Sequence, residues 1–421
     1  MLNLHKTAMG GLLALALGTA SSLALAEELS EGTFIHAGNI DEMLDRTFEG
    51  KTIQSMLPER LEWQIREYGL RIELKHSEEL PRDPNYDRLT EQHAGTVSFN
   101  RDTGMIENYC TGLPFPEVSE DDPDAGWKLI WNHHFGQPTG GAQDYRRFAF
   151  LLIDEDGGLE RTQHWRFQRF FETGRVDPPE SCGMDAPHHR TLLFATFPRD
   201  ISGLGTLTIR HNDGRVDDTW AYIPAVRRVR TLSGGAWMDP IGGTDQLQSD
   251  IEIFNAHPTW FEDYKVLGQR WVLAVAHSEA PTWDENAGST NAQFPRVDLA
   301  NAPHWNPVDK WEPRKVWVIE ATPPPEHPYS KKIMYMETEY PRFYFSETYD
   351  QGGDFWKWLN FALRPYETGH GGWGLISAWG QTVDFKAQHA TIFKSHPDWE
   401  LGGDLSADDV TRGALQRGGR R

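Results

Sequence analysis

Eleven short runs rich in β-branched and aromatic residues constrain this chain more than any other feature. They are "LRIEL", "TVSFN", "FAFLLID", "LERTQHWRFQRFF", "RTLLFATF", "GTLTIRH", "DTWAYI", "RKVWVIEAT", "KIMYMETE", "RFYFSETYD" and "TVDFKAQHATIF". Gly, Asp, Asn or Pro separates most of them, which is the pattern of strands joined by turns. In "KVWVIEAT", Val316, Val318 and the stem of Glu320 alternate with Trp317, Ile319 and Ala321, so both faces are largely apolar. "KIMYMETE" and "RFYFSET" share that property. Large apolar surface is not left in water, so each face must meet protein, ligand or partner. Two architectures satisfy this: a long antiparallel sheet covered on one side and lining a cavity on the other, or a thick two-sheet sandwich. "DEDGGLE" predicts a hairpin turn with positive φ supplied by Asp156-Gly157, and "HNDGRVDDTW" repeats the device at Asp213-Gly214. Neither has the ligand spacing or terminal glutamate of a calcium loop.

Helical patterning is confined to a few segments. Ile40, Met43, Leu44 and Phe48 fall at helical spacing, and "PERLEWQIREYG" follows with Pro58 placed for a first turn and Gly69 for a stop. "GGDFWKWLNFALRPY" sets Phe355, Leu359 and Ala362 near helical spacing, predicting an amphipathic helix packed on the sheet or against a membrane-protein partner. No linker interrupts the chain, and its aromatic residues (12%) are spread throughout, so one domain over 27–421 is the economical reading. Residues 402–421, polar and glycine-rich, read as a frayed fringe.

The first 26 residues, "MLNLHKTAMGGLLALALGTASSLALA", have a short positive start, an apolar run and small residues at Ala24-Leu25-Ala26. This predicts a cleaved secretory signal, with the remainder in a bacterial periplasm. No cysteine lies at the cut to take a lipid. The chain holds 41 Lys+Arg against 62 Asp+Glu, a formal net charge of −21, and loss of Lys6 makes it more negative. That argues against nucleic acid and against anionic membrane surfaces. No later apolar run reaches the 18 residues of a spanning helix. The two cysteines, Cys110 and Cys182, form a predicted disulfide in an oxidising compartment; two free buried thiols are the alternative.

Motifs for chemistry are sparse. His133-His134 and His188-His189 are adjacent pairs which, in strands, would point to opposite faces, and no HExxH occurs. His277, His304, His327 and His370 sit in turn-rich contexts as hydrogen-bonding side chains. Ser233 in "TLSGG" has no nucleophile elbow and no identifiable base, and no phosphate-binding glycine motif is present. Neither a metal nor a cofactor is therefore predicted. A carboxylate pair of the glycosidase kind is not visible from sequence.

"DTWAYIPAVRRVRTL" holds the most conspicuous local pattern: aromatic residues, Pro224, then Arg227, Arg228 and Arg230. Pro224 ends one strand and a turn begins the next. Arg227 and Arg228, being adjacent, should face opposite sides, one of them buried with a carboxylate; Asp217, Asp218 and Asp239 are the nearest candidates. Contact with an anionic ligand head or an acidic partner is the other reading. Trp220, Tyr222, Trp237 and Trp317 are candidates to line a hollow, or ordinary core.

The same stretch resembles periplasmic proteins of the outer-membrane lipoprotein-sorting and lipoprotein-carrier group, through Tyr222, Ile223, Pro224, Val226, Arg227, Arg228, Val229 and Arg230. More particularly, "TGLPFPEV", "WEPRKVWVIEATPPPEHPYSKKIMYMETE" and "FSETYDQGGDFWKW" resemble blocks of the DUF1329 family. One departure is Gln246 after Gly243, Thr244 and Asp245, where the family's turn carries a second acid; Asp250 could replace it. The resemblance implies a LolA/LolB-like α+β, mainly β fold, a strongly curved antiparallel sheet or half-open barrel wrapped around helices. It also implies a non-enzymatic carrier or accessory protein for a lipid-like or acyl-chain ligand, working beside an inner-membrane exporter or outer-membrane channel. A ligand-free scaffold of an envelope complex and a lipid or glycan hydrolase are the competing classes.

Overall fold

The computed structural model describes residues 28–136, 141–176, 182–232, 234–279, 297–369, 371–396 and 399–419. The predicted signal segment, Ser233 and His370 lie outside the described residues. The elements in chain order are β1 (Phe34–Ile35), α1 (Ile40–Met43), α2 (Ile53–Met56), α3 (Glu59–Glu67), β2 (Ile72–Leu74), α4 (Pro84–His93) and α5 (Ala125–Phe135). Then come β3 (Ala142–Asp154), β4 (Gly158–Phe171), β5 (His189–Phe197), β6 (Gly205–Arg210), β7 (Asp218–Ile223), β8 (Arg228–Thr231) and β9 (Asp263–Ala274). The chain ends with β10 (Lys310–Thr322), β11 (Tyr329–Glu337), β12 (Phe343–Asp350), β13 (Phe355–Glu367), β14 (Trp373–Asp384), β15 (His389–Ser395), β16 (Trp399–Leu401) and α6 (Arg412–Gly418).

These sixteen strands form one curved sheet in the order β1-β2-β10-β11-β12-β13-β14-β15-β3-β4-β5-β6-β7-β8, with β9 also on β10 and β16 on β3. Only β2 and β10 pair in parallel, at Lys310↔Glu73. The path has free ends and closes no barrel, so the predicted mainly-β, curved open architecture holds.

Both faces of the long central strands are buried. One face sets Val316, Tyr335, Phe345, Trp358 and Trp379 against Ile53, Met56, Leu61 and Ile65 of α2 and α3. The other sets Trp317, Ile319, Met334, Met336, Leu359 and Phe361 against Leu129 and Ile130 of α5. Helices therefore cover opposite faces of the sheet, and two-sided apolar strands follow directly. This double burial also explains an error of reading: "GGDFWKWLNFALRPY" is strand β13, not a helix. With Trp358 buried on one face and Leu359 and Phe361 on the other, the alternation of a half-buried strand is lost. The residues at 355, 359 and 362 then imitate a helical stripe.

Local differences have similar causes. The 40–48 pattern is helical only to Met43; Phe48 belongs to a ribbon pairing Thr47–Phe48 with Lys51–Thr52. "TVDFKAQHATIF" is two strands, β14 and β15, divided by a turn at 385–388 where Gln388 has φ +57°. In the β3–β4 hairpin the positive φ falls on Gly158 rather than Gly157, whereas Gly214 (φ +78°) turns β6 into β7 as predicted. The C-terminal stretch carries α6, whose Leu415 is fully buried beside Val410, Leu192, Leu207 and Tyr222.

Candidate functional site: a cleft beneath β4–β7

Strand alternation builds the site. On one face of β4 stand Trp165, Phe167, Arg169 and Phe171; cross-strand pairing aligns these with Ala195, Leu193, Thr191 and His189 of β5. Continuing into β6 and β7, Thr191 meets Thr208 and Thr219, Leu193 meets Thr206 and Ala221, and His189 meets Arg210. The face is therefore graded in rows, from Phe171–His189–Arg210, through Arg169–Thr191–Thr208–Thr219, to Phe167–Leu193–Thr206–Ala221. Segment 234–255 crosses above it, contributing Trp237, Pro240, Ile241, Gln248, Ile251 and Asn255. Between sheet and cover lies a cleft of about 260 Å³. Phe167, Leu193, Ile241 and Ile251 also line a second, mainly apolar cavity of about 60 Å³, completed by Tyr145, Phe148, Phe150, Phe361 and Phe393 with Gln246, Glu252 and Ser377.

The polar end is crowded with buried cations. Arg210 is bound in two-pronged fashion by Asp217, at 2.5 and 2.9 Å, and lies 4.5 Å from the Trp260 ring. Arg342 is bound by Glu252 at 2.9 and 3.2 Å. Burial raises the Glu252 carboxyl, but Arg342, helped by Arg169, outweighs it and holds the group below its ordinary value. Arg169 is different. It is 4% exposed, donates from Nε to Thr191 Oγ1 at 3.0 Å and from Nη2 to Asn255 Oδ1 at 3.1 Å, and has no carboxylate within 4.0 Å among the described residues. Burial lowers its guanidinium to about 10, so it stays charged at neutral pH.

Behind this end, sequence-distant histidines converge. His134 stacks on His188 with ring centroids 4.0 Å apart, His188 and His189 meet through Nδ1 atoms at 3.0 Å, and His257 lies 5.3 Å from His134. Burial holds His134, His188 and His189 well below the ordinary histidine value, and His257 down to about 3. All four are neutral. His133 and His134 are on α5, not on a strand.

Of the residues singled out from sequence, Trp237 lines the cleft. Trp220 and Tyr222 point to the opposite face of β7 and pack with α6, while Trp317 is core beside Met334 and Phe361. Arg227 lies in the turn at φ +51°, so Arg228 and Arg230 share one face instead of Arg227 and Arg228 splitting between two. All three are exposed and unpaired among the described residues, which overturns the buried ion-pair reading. Asp217 serves Arg210, Asp218 accepts from His211, and Asp239 is exposed. Through Arg230↔Ala221 and Arg228↔Ile223, the two strand arginines stand on the cleft-side face at the sheet edge. Arg169 was missed. Its signal is the spacing in "WRFQRFF", a lone cation in an i, i+2 row of three aromatics.

Other chemistry is structural. Cys110 and Cys182 form the predicted disulfide, and His93 beside them is the only companion in the one three-ligand grouping among the described residues. Both of its sulfurs are thus already bonded. Asp245 accepts from Thr391 and contacts His389 Nδ1, each at 2.7 Å. Asp250 is fully buried on Lys332 and Tyr329, with Gln246 donating to its carbonyl. Ser249 and His327 Nε2 lie 3.5 Å apart, but His327 Nδ1 accepts the Tyr329 N–H at 3.0 Å. That leaves the proton on Nε2 and no carboxylate behind the ring, the reverse of a serine nucleophile's base.

Three solved structures are similar to this chain at low identity. A domain described as an outer membrane lipoprotein-sorting protein from Vibrio parahaemolyticus is 17% identical with TM-score 0.46. A DUF1329 family protein from Desulfovibrio piger is 16% identical with TM-score 0.47. A LolA superfamily protein from Nitrosomonas europaea is 15% identical with TM-score 0.39. Each alignment covers 69% of this chain and 98% of the other. No curated protein matches. The sequence model for a protein of unknown function, DUF1329, matches residues 34–411, and the chain belongs to that family.

Proposed function

We propose that this protein is a non-enzymatic periplasmic carrier or accessory protein that holds a lipid-like hydrophobic molecule in the β4–β7 cleft and assists its passage across the envelope. The supporting observation is the continuity of apolar lining from the open cleft into the smaller cavity through Phe167, Leu193, Ile241 and Ile251. A concave, mainly apolar site with a few polar groups at one end is the usual form of a small-molecule pocket. Burying a chain there contributes about 0.8 kcal/mol per methylene, so useful affinity needs no covalent step. The disulfide fits an oxidising compartment, and no helix among the described residues is long and apolar enough to cross a membrane. An exporter or channel is the fitting partner. Organic extraction of protein isolated from its native periplasm, with N-terminal sequencing of the same sample, tests this. A stoichiometric lipid-like compound and a start at Glu27 are expected. Ligand-free protein from its own compartment contradicts the carrier.

A further inference from the structure

Resting on that reading, we infer that the cargo is an anionic amphiphile, whose head docks on Arg169 and whose tail runs over Phe167 and Leu193 toward the second cavity. The charge balance of the cleft floor leads there. Among the buried charges at this end, three guanidinium groups, of Arg169, Arg210 and Arg342, accompany two carboxylates, and each carboxylate is committed in two-pronged fashion to a partner other than Arg169; the cleft's further acid, Asp239, is exposed on the covering segment. The surrounding histidines are neutral and add nothing to cancel. One positive charge is left over, at a residue 4% exposed. Glu252, already bound to Arg342, acts on Arg169 only through space, and a buried charge without a directly bonded counter-ion is costly unless an opposite charge reaches it.

Hydrogen bonding agrees. Arg169 uses Nε and one Nη2 proton, and Nη1 has no partner among the described residues. A guanidinium offers five N–H donors, and a planar fork suits a carboxylate or phosphate oxygen pair. Thr191 and Thr208, in the same row, add hydroxyls within the cleft lining. The next row is apolar apart from Thr206, so polarity along the cleft falls from Arg169 toward Trp165, Ile241 and the cavity walled by Phe148, Phe150 and Phe393, whose polar lining residues are Gln246, Glu252 and Ser377.

A fatty acid and a phospholipid offer the same kind of head, and a set of twelve-carbon probes separates them. Binding of laurate, dodecyl phosphate and 1-dodecanol to the mature protein is measured at pH 7.5 by calorimetry, with Arg169→Gln in parallel. At least one anion should bind wild-type protein tenfold or more tightly than the alcohol, and R169Q should reduce that preference to about twofold or less while alcohol affinity stays level. The tighter anion then names the source, free acid or phosphate lipid. The wild-type ratio stands even if the variant folds poorly. Equal binding of all three probes by wild-type protein overturns the anionic head but leaves a carrier of neutral lipid. Retained preference in folded R169Q overturns the role of Arg169. Failure of every probe to bind overturns the carrier reading itself.

Discussion

The two halves of the sheet solve the same problem differently. Beneath β10–β15, each face is filled by a helix and its neighbours: Trp358 and Trp379 are fully buried on one side, Ile319 and Met334 on the other. Beneath β4–β7 one face is closed by α6 through Leu415 and Tyr222. The other is only bridged by segment 234–255, leaving the cleft. The first half is mostly close-packed interior, where lost volume is felt, with Phe361, Ser377 and Phe393 walling the small cavity at its border. The second mixes threonine and arginine with aromatics on its open face. The larger open space thus belongs to the half whose exposed row is amphipathic, and the more uniformly apolar half supplies support and one wall of the small cavity.

The largest expected effect tests that division. Trp358→Ala should cost about 3–5 kcal/mol of unfolding free energy. Trp237→Ala, at the half-buried rim of the cleft, should cost less than about 1 kcal/mol and weaken ligand binding instead. Denaturant titration of both variants checks this, and similar losses would erase the distinction. Next in size is the disulfide. Replacing Cys110 and Cys182 with serine removes a bridge worth about 4 kcal/mol on chain-entropy grounds. Because the bridge anchors the segment between β4 and β5, hydrogen exchange should accelerate first in β4–β7 and last in β10–β15.

Acid should act on the histidine cluster behind the cleft, and His133 and His327, each lowered by burial to about 4, add to the effect. The folded-state values of His134, His188, His189 and His257 are depressed, so below about pH 6.5 the unfolded chain binds protons that the native cluster refuses. Stability from these groups is complete above that pH and falls on acidification, by about 1.4 kcal/mol per histidine per pH unit. His389, raised chiefly by its hydrogen bond to Asp245, works in the opposite sense: its contribution is full at low pH and lost as pH rises through its folded value. Melting curves from pH 7.5 to 5 should therefore fall steeply, and substituting His257 with Gln should flatten the slope. An unchanged slope would remove the neutral cluster from the account.

The smallest effect concerns the rim. Arg228→Gln with Arg230→Gln should leave stability within about 0.5 kcal/mol and slow association of an anionic probe several-fold at low salt, with little change in dissociation rate. These exposed arginines also guard the sheet's free edge against pairing with another chain.

Much of the scaffold was legible in the residues. Strand-like runs, the β6–β7 turn at Gly214 and the cysteine pair all depend on local chemistry, which sequence displays. The cleft was sought under the wrong strands, because two-sided apolarity in "KVWVIEAT" can be satisfied by helices on both faces as well as by a hollow. Deciding between those requires knowing where α3 and α5 dock, a long-range fact. Trp220 and Tyr222 lie away from this cleft for a related reason: their alternation with Thr219 and Ala221 is plain, but which set faces the cover depends on α6 arriving on the other side. Arg169 could have been noticed as a cation in an aromatic row. Its lack of a counter-ion could not, since Asp217 and Glu252 approach from other segments.

The central claim is that the space under β4–β7 holds cargo. Native mass spectrometry of wild-type protein and Ala221→Trp, both isolated without detergent from the native cells, tests it most directly. Ala221 lines the cleft and faces its interior, so the indole should fill the berth while the fold persists. A lipid-sized adduct on the wild-type protein that is absent from folded Ala221→Trp is the predicted result. An adduct retained equally by both, or found on neither, contradicts it.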